Sequence, residues 1–233
     1  MVLYYITDRS QFPGDEDSRR SQLLATIAQA AACGVDYIQL RERDLSTRDL
    51  ETLARAVVHE LRTGNQKLKT GVLINSRVDV ALACGAQGVH LRSDDISPAE
   101  ARKLWMQCGA GAPVRMTVGI SCHTAAEVAR AAAEGADFAV FGPVFEKANA
   151  RPMGLEALRE ACQEKIPVLA LGGITVENAE PCIQAGAAGI AAIRLFQENE
   201  VGRAVAALRH LEKVASRQSS VRVVSSLSPK ADD

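Results

Sequence analysis

The stretch VLINSRVDVALACGAQGVHLRSDD, residues 72–95, combines a strand, a helix and a second strand in one short segment. Residues 72–74 form a β-branched apolar run, and apolar side chains recur at helical spacing over 78–84. Gly85 follows that helix where a left-handed cap is common, and 88–91 is a second buried-type strand. The segment therefore predicts the repeating unit of a parallel α/β fold.

Polar side chains follow the ends of both strands in this segment. Asn75 and Ser76 come after the first strand, and the adjacent carboxylates Asp94 and Asp95 come after the second. The carboxyl ends of parallel strands carry the chemistry in α/β folds. We therefore expect these four side chains to lie at the carboxyl ends of the strands, which we call the functional edge.

The rest of the chain repeats this unit. Four segments each join a helix end, a glycine and a buried-type strand, and the glycines are spaced by 51, 50 and 51 residues: Gly34, Gly85, Gly135 and Gly186. Strands at the midpoints bring the total to eight, and each strand is followed by a helix candidate. The helices are predicted over 19–33, 46–63, 77–84, 97–108, 123–134, 154–164, 175–185 and 197–215. This pattern predicts a single (β/α)8 TIM barrel, with a doubly wound open sheet as the alternative.

Composition fits one soluble α/β domain. The 233 residues are 47% hydrophobic and 24% charged, with a net charge of −1, so neither a nucleic acid nor a membrane is expected as a partner. We expect the barrel to span 1–215, followed by a polar tail over 216–233. The absence of a signal peptide and of any long apolar run predicts a cytoplasmic protein, which could form a homo-oligomer. The six cysteines form no C-x-x-C pair and are expected to be reduced thiols.

The loops after strands 7 and 8 predict a phosphate site. Gly172 and Gly173 directly follow an apolar strand and precede a predicted helix. Their main-chain N–H groups can approach a ligand closely, and a helix start favours an anion. Arg194, after strand 8, can add a cationic donor at the position where such barrels commonly bind phosphate. The alternative is a plain glycine turn capped by Thr175.

Three further groups are candidates for chemistry. Gln39, Arg41 and Arg43 alternate after a buried run, and this spacing favours an anion-binding pair, with an exposed surface face as the alternative. His123 lies two residues after Ser121 at the exit of strand 5, and imidazole is suited to general acid–base catalysis. A capping histidine is the alternative. Asp95 could hold Mg²⁺, or only favour the next helix start.

In order, these pieces resemble the thiamine-phosphate synthase/TenI superfamily over residues 2–196. The matching sequence motifs agree in both their order and their positions in the barrel, which makes the resemblance specific. The motifs are YYITDR, YIQLRERD, VLINSRVDVAL, GVHLRSDD, VGISCHTAAEV, ADFAVFGPVF, PVLALGGIT and AGAAGIAAI.

The resemblance implies a (β/α)8 barrel and one of two chemistries. The synthase joins a pyrimidine diphosphate to a thiazole phosphate and releases diphosphate. In that case Asp95 would hold Mg²⁺, and the contacts to the pyrimidine or diphosphate would come from Gln39, Arg41, Arg43 and Asn75. The tautomerase typified by TenI aromatises a thiazole phosphate carboxylate. There His123 would move the proton, Ser121 would position the carboxylate and no metal would be required.

Two departures from the synthase pattern decide between these chemistries at the level of sequence. Ser76 stands where synthases carry a magnesium-binding aspartate. The loop after strand 6 reads Phe-Glu-Lys-Ala-Asn, whereas synthases have a loop there whose threonines and lysine bind the diphosphate. Both changes weaken diphosphate binding. We therefore expect a tautomerase acting on a thiazole phosphate, with the synthase as the alternative. A non-catalytic phosphate-binding regulator is a third hypothesis.

Overall fold

Eight parallel strands close into a barrel in the computed structural model, which describes residues 1–63, 69–108, 115–146 and 151–212. Each strand pairs with the next along the chain, and β1 pairs with β8 to close the ring. The strands are β1 (Val2–Ile6), β2 (Tyr37–Leu40), β3 (Gly71–Asn75), β4 (Gly88–Leu91), β5 (Thr117–Cys122), β6 (Phe138–Phe141), β7 (Val168–Leu171) and β8 (Gly189–Ala192). The predicted TIM barrel is confirmed.

Helices surround the barrel and alternate with the strands. They are α1 (Glu16–Ala32), α2 (Thr47–Thr63), α3 (Val78–Cys84), α4 (Pro98–Cys108), α5 (Ala125–Ala133), α6 (Gly154–Ala161), α7 (Ala179–Gln184), α8 (Arg194–Gln197) and α9 (201–212). A 3₁₀ turn over Arg9–Gln11 follows β1. All four repeat glycines have positive φ angles, between 68° and 107°, and they end α1, α3, α5 and α7 as predicted.

The alternation of side chains along the strands divides the core into two parts. One part fills the barrel interior and includes Tyr4, Leu73, Phe138 and Leu169. The other, larger part lies between the strands and the surrounding helices. Tyr4 and Phe138 meet edge to face inside the barrel, with their ring centroids 5.4 Å apart. Because the interior is filled at this level, ligands can approach only at the ends of the barrel.

Several predicted boundaries shift, and two of the shifts affect the functional edge. Strand β5 extends to Cys122, so Ser121 lies inside the strand and not beyond it. The last predicted helix, 197–215, is divided: the short helix α8 begins at Arg194, and α9 follows. The end of the last predicted helix (213–215), the predicted tail over 216–233 and residues 147–150 of the loop after β6 lie outside the described residues.

Within the described ranges, no helix combines the length and the apolar character that crossing a bilayer requires. All six cysteines are free thiols. Cys122 lies next to the functional edge, but its side chain is buried, and burial raises the pKa of its thiol to about 12. The protonated thiol is a packing group there.

Candidate active site

A row of hydrogen-bonded polar side chains crosses the carboxyl ends of β2, β3 and β4. Gln39 Nε2 donates to Asn75 Oδ1 (3.2 Å), and Asn75 Nδ2 donates to Ser76 Oγ (3.0 Å). Ser76 Oγ then donates to Asp95 Oδ2 (2.6 Å). The donors all point the same way along the row, which ends on a carboxylate. The structure thus brings together Gln39 and Asn75, two of the residues that the sequence predicts for ligand binding, with Ser76 and the predicted metal ligand Asp95.

Ser76 holds its place in this row with an unusual backbone conformation. Its φ angle is 59°, and it is the one non-glycine residue with positive φ in the described part of the chain. Such a conformation costs about 1–3 kcal/mol and is retained where the surroundings enforce it. Here the Ser76 N–H donates to the carbonyl of His90 on β4 (2.8 Å), and the hydroxyl is held by Asp95. The strained backbone therefore directs the hydroxyl toward the carboxylate.

The two adjacent carboxylates after β4 have different surroundings. Asp94 is exposed and pairs with the Arg92 guanidinium. Asp95 is half-buried, and its Oδ2 atom also accepts from the Arg92 main-chain N–H (2.7 Å). In the described residues, Asp95 Oδ1 has no hydrogen-bond donor. Asp95 therefore retains one oxygen that can face a ligand.

The two predicted anion-binding arginines do not continue the alternation of β2. The strand ends at Leu40, so Gln39 is buried, Arg41 is half-buried and Arg43 is exposed. Burial, and then the nearby charge of Arg43, lower the pKa of the Arg41 guanidinium. Neither guanidinium forms an ion pair within the described residues. Two close, unpaired cations at the end of a strand favour an anionic ligand.

Arg9, which the sequence does not mark for any role, fixes the loop that carries these arginines. Its side chain is buried and binds Asp44 through two hydrogen bonds (2.6 and 2.9 Å) and Glu42 through one (3.2 Å). Asp44, more than any other neighbour, raises the pKa of the Arg9 guanidinium. Thr7 Oγ1 donates to Glu42 (2.5 Å) and accepts from the Arg41 N–H (3.0 Å). A buried charge network therefore holds the backbone at Arg41.

His90 is a second residue that sequence reasoning leaves without a role. It is buried inside the barrel, with Nδ1 3.1 Å from Tyr4 Oη and Nε2 2.9 Å from Ser121 Oγ. Burial, and then the charge of Arg41, lower the pKa of His90 to about 3, so the ring is neutral. The neutral imidazole orients the predicted substrate-binding hydroxyl of Ser121. A histidine inside a predicted barrel strand was the signal that could have identified it.

His123, the predicted acid–base residue, lies just after β5 and is exposed. Its Nδ1 atom is 2.6 Å from the Gly142 carbonyl oxygen, which can only accept, so Nδ1 carries the proton. In the neutral ring Nε2 is then the basic nitrogen. The main-chain N–H of His123 donates to Glu127 (2.5 Å). This arrangement orients the imidazole and leaves one nitrogen able to accept a proton.

A small cavity of about 70 Å³ lies between the loops after β7 and β8, where the sequence predicts phosphate binding. Gly172 and Gly173 line it with φ angles of 97° and 63°, which side chains rarely adopt. A Cβ at Gly172 would lie 2.5 Å from Pro143 Cβ, so a larger residue would collide with the loop after β6. In the part of the chain that the structure describes, the N–H groups of Gly173, Ile174 and Ile193 have no hydrogen-bond acceptor. These donors suit an anion.

The helix beside this cavity is not the predicted one. Thr175 does not cap a helix, because Thr175 and Asn178 bind each other's main chain in a turn and α7 begins only at Ala179. The short helix α8 instead begins at the cavity, with Arg194 at its start. Arg194 is exposed and has no ion pair among the described residues. A short extra helix after strand 8 is a common feature of barrel phosphate sites.

The residues at the β3–β4 edge fit Mg²⁺ only if a ligand supplies further oxygens. Across the described residues, no group of three or more His, Cys, Asp or Glu side chains could enclose a metal ion. The oxygens available are Asp95 Oδ1 and the Ser76 hydroxyl. Mg²⁺ commonly binds one or two carboxylates and completes its shell with water and substrate phosphates. The donor set therefore fits a magnesium ion that arrives with a diphosphate.

The fold and these sites define a class of protein, a (β/α)8 barrel with a glycine-lined cavity and a separate polar row at the same end. The chain belongs to the Thiamine monophosphate synthase family, whose model matches residues 3–196. This confirms the superfamily that the sequence motifs indicate.

Relatives and a solved structure agree with this membership. A Geobacter sulfurreducens protein named "Putative thiamine-phosphate synthase" is 43% identical over 196 residues, covering 82% of this chain and 84% of that protein. A thiamine-phosphate synthase of Methanoculleus marisnigri is 37% identical, covering 94% and 98%. The solved thiamine phosphate pyrophosphorylase of Pyrococcus furiosus superposes with a TM-score of 0.74 at 30% identity, covering 90% and 94%. These names favour the synthase over the tautomerase that the sequence departures suggested.

Proposed function

We propose that this enzyme of thiamine biosynthesis is a thiamine-phosphate synthase, which joins a hydroxymethylpyrimidine diphosphate to a thiazole phosphate and releases diphosphate. The observation that carries the proposal is the presence of two polar sites at one end of the barrel. The row from Gln39 to Asp95 lies on β2–β4, and the glycine-lined cavity lies at β7–β8. A reaction that joins two phosphorylated substrates needs both.

Each side chain has a role in this scheme that follows from its surroundings. Gln39 and Asn75 present amide groups that can bind the pyrimidine. Arg41 and Arg43 are unpaired cations that can hold the diphosphate and stabilise the charge it gains on leaving. The N–H groups around Gly173 hold the phosphate of the thiazole, and Arg194 adds a cation beside them.

Asp95 and Ser76 would hold Mg²⁺ together with the diphosphate of the substrate. When bound, the ion would neutralise negative charge on the leaving diphosphate. Ser76 contributes a neutral hydroxyl where the synthase pattern has a carboxylate, so this chain binds the ion with less charge. We therefore expect the condensation to need a higher magnesium concentration than in synthases with both carboxylates.

The tautomerase remains a second candidate because of two specific observations. The Gly142 carbonyl fixes the tautomer of His123 and leaves Nε2 basic, as a proton-transfer residue requires. In addition, Ser76 stands where the synthase pattern has a second carboxylate. In that reaction His123 would move a proton between the ring carbon and the exocyclic carbon. Ser121 would position the substrate carboxylate, Gln39 and Arg41 would polarise it, and no metal is required.

A paired assay on wild type and His123→Ala separates these candidates. One reaction contains hydroxymethylpyrimidine diphosphate, thiazole phosphate and Mg²⁺, and the other contains only the non-aromatic thiazole tautomer. Magnesium-dependent release of diphosphate in the first supports the synthase. Isomerisation only in the second, lost in His123→Ala, would replace it with the tautomerase. Binding without turnover in either would indicate a regulatory protein.

A further inference from the structure

The short helix α8 is tied to the loop after β1 by the side chain of its last residue, Gln197. Gln197 Oε1 accepts a hydrogen bond from the Asp8 N–H (2.9 Å), and Gln197 Nε2 donates to the Asp8 carbonyl (2.9 Å). Both polar atoms of the amide therefore bind the main chain of one residue, 189 positions away in sequence. These two hydrogen bonds fix the orientation of α8, late in the chain, relative to the loop after β1, early in the chain.

This link joins two parts of the lining of the glycine-lined cavity. Residues 193–195, at the start of α8, form one wall, and Gln11 of the 3₁₀ turn after β1 forms another. Gln11 is itself held by Asp8, because Gln11 Nε2 donates to Asp8 Oδ2 (2.9 Å). Asp8 thus links Gln197 of α8, through its main chain, to Gln11, through its carboxylate.

Apolar packing alone gives α8 little directional restraint. The helix has four residues, no side chain caps its N-terminus, and helices this short are not stable by themselves. Leu195 and Phe196 are buried, and the Phe196 ring lies 5.5 Å from that of Tyr5, centroid to centroid. Such contacts hold the helix against the barrel but are non-directional. The amide of Gln197 supplies the orientation.

We infer that Gln197 is a positioning residue that sets the separation of the cavity walls and thereby the affinity for the phosphate group of the substrate. It acts through Asp8 and Gln11 and does not itself line the cavity. The inference rests on the proposed function only in assigning a phosphate to this cavity. It holds for any reaction that uses the cavity.

The test compares wild type with Gln197→Met, which keeps the length of the side chain and removes both hydrogen bonds. Isothermal titration calorimetry measures the Kd of inorganic phosphate and of thiazole phosphate, and steady-state assays give KM and kcat. Loss of two hydrogen bonds that orient the wall should raise Kd and KM about tenfold and leave kcat unchanged. Gln184→Met, at an exposed glutamine on α7, is the matched control and should behave as wild type.

The outcomes separate this inference from the proposed function. Equal phosphate affinity in wild type and Gln197→Met would overturn the inference and leave the proposed function intact. A parallel fall of kcat and Tm in Gln197→Met would also overturn it, because the residue would then be only structural. If wild type binds neither phosphate, the cavity is not an anion site and both proposals are wrong.

Discussion

The Ser76 hydroxyl donates a 2.6 Å hydrogen bond to Asp95 Oδ2, across the ends of β3 and β4. The hydroxyl occupies Asp95 Oδ2 without adding charge, so Asp95 is the one carboxylate in the hydrogen-bonded row that begins at Gln39. The backbone of Ser76, with its φ of 59°, suits aspartate better than serine, since aspartate is enriched in the left-handed region. The position is therefore suited by its conformation to a second carboxylate.

Ser76→Asp should strengthen magnesium binding and accelerate the condensation. The second carboxylate adds a charged oxygen ligand, and we expect kcat/KM at low Mg²⁺ to rise at least about tenfold. Without Mg²⁺ the two close carboxylates repel each other, so Tm should fall and recover on adding the ion. Ser76→Ala, which removes the hydroxyl without adding charge, is the control. Equal magnesium dependence in the two variants would contradict the prediction.

His90 should make the protein less stable in mild acid. Its pKa is about 3 in the folded state against an ordinary value of 6.5, so the unfolded chain binds the proton first as pH falls. The free energy of unfolding should therefore fall by about 1.4 kcal/mol for each pH unit between these values. In His90→Gln, the free energy of unfolding measured with urea should fall less per pH unit than in wild type. His59→Gln, at an exposed position on α2, should match wild type.

Gly172→Ala should damage both stability and phosphate binding, whereas Gly34→Ala should affect stability alone. The two glycines have φ angles of 97° and 91°, so both substitutions pay a left-handed penalty of about 1–2 kcal/mol. A Cβ at Gly34 meets nothing within 4 Å, but at Gly172 it would lie 2.5 Å from Pro143 Cβ. We expect a further loss of about 1–3 kcal/mol and weaker phosphate binding for Gly172→Ala. Equal losses of stability in the two variants would contradict the predicted collision between Gly172→Ala and the loop after β6.

The sequence predicts the strands well because each is a short apolar run that the barrel buries on both faces. The glycines after α1, α3, α5 and α7 were also predictable, since their period and their capping role coincide. Helix boundaries are less predictable where a side chain a few residues away competes for the same main-chain groups. Thr175 has the composition of a helix cap, but Asn178 binds its main-chain N–H and delays the helix.

The sequence predicts many residues of the candidate site but not the hydrogen bonds and ion pairs that join them. Residues such as Asn75 and Asp95 stand at strand ends, so their position follows from the pattern. The partners of Arg9 come from α1 and the loop after β2, and no spacing rule relates them. The same holds for His90, whose contacts lie on β1 and β5. These contacts form between neighbouring loops and across the barrel interior, so they exist only once the barrel has folded.

The most direct test of the central claim is the formation of thiamine phosphate by the purified chain from hydroxymethylpyrimidine diphosphate, thiazole phosphate and Mg²⁺, compared with Asp95→Asn. Losing the one carboxylate available to the ion should lower kcat/KM about 100-fold or more. Thiamine phosphate formed by wild type, and this loss in Asp95→Asn, is the predicted result. No thiamine phosphate from wild type at any Mg²⁺ concentration, while both proteins isomerise the thiazole tautomer equally, would contradict it.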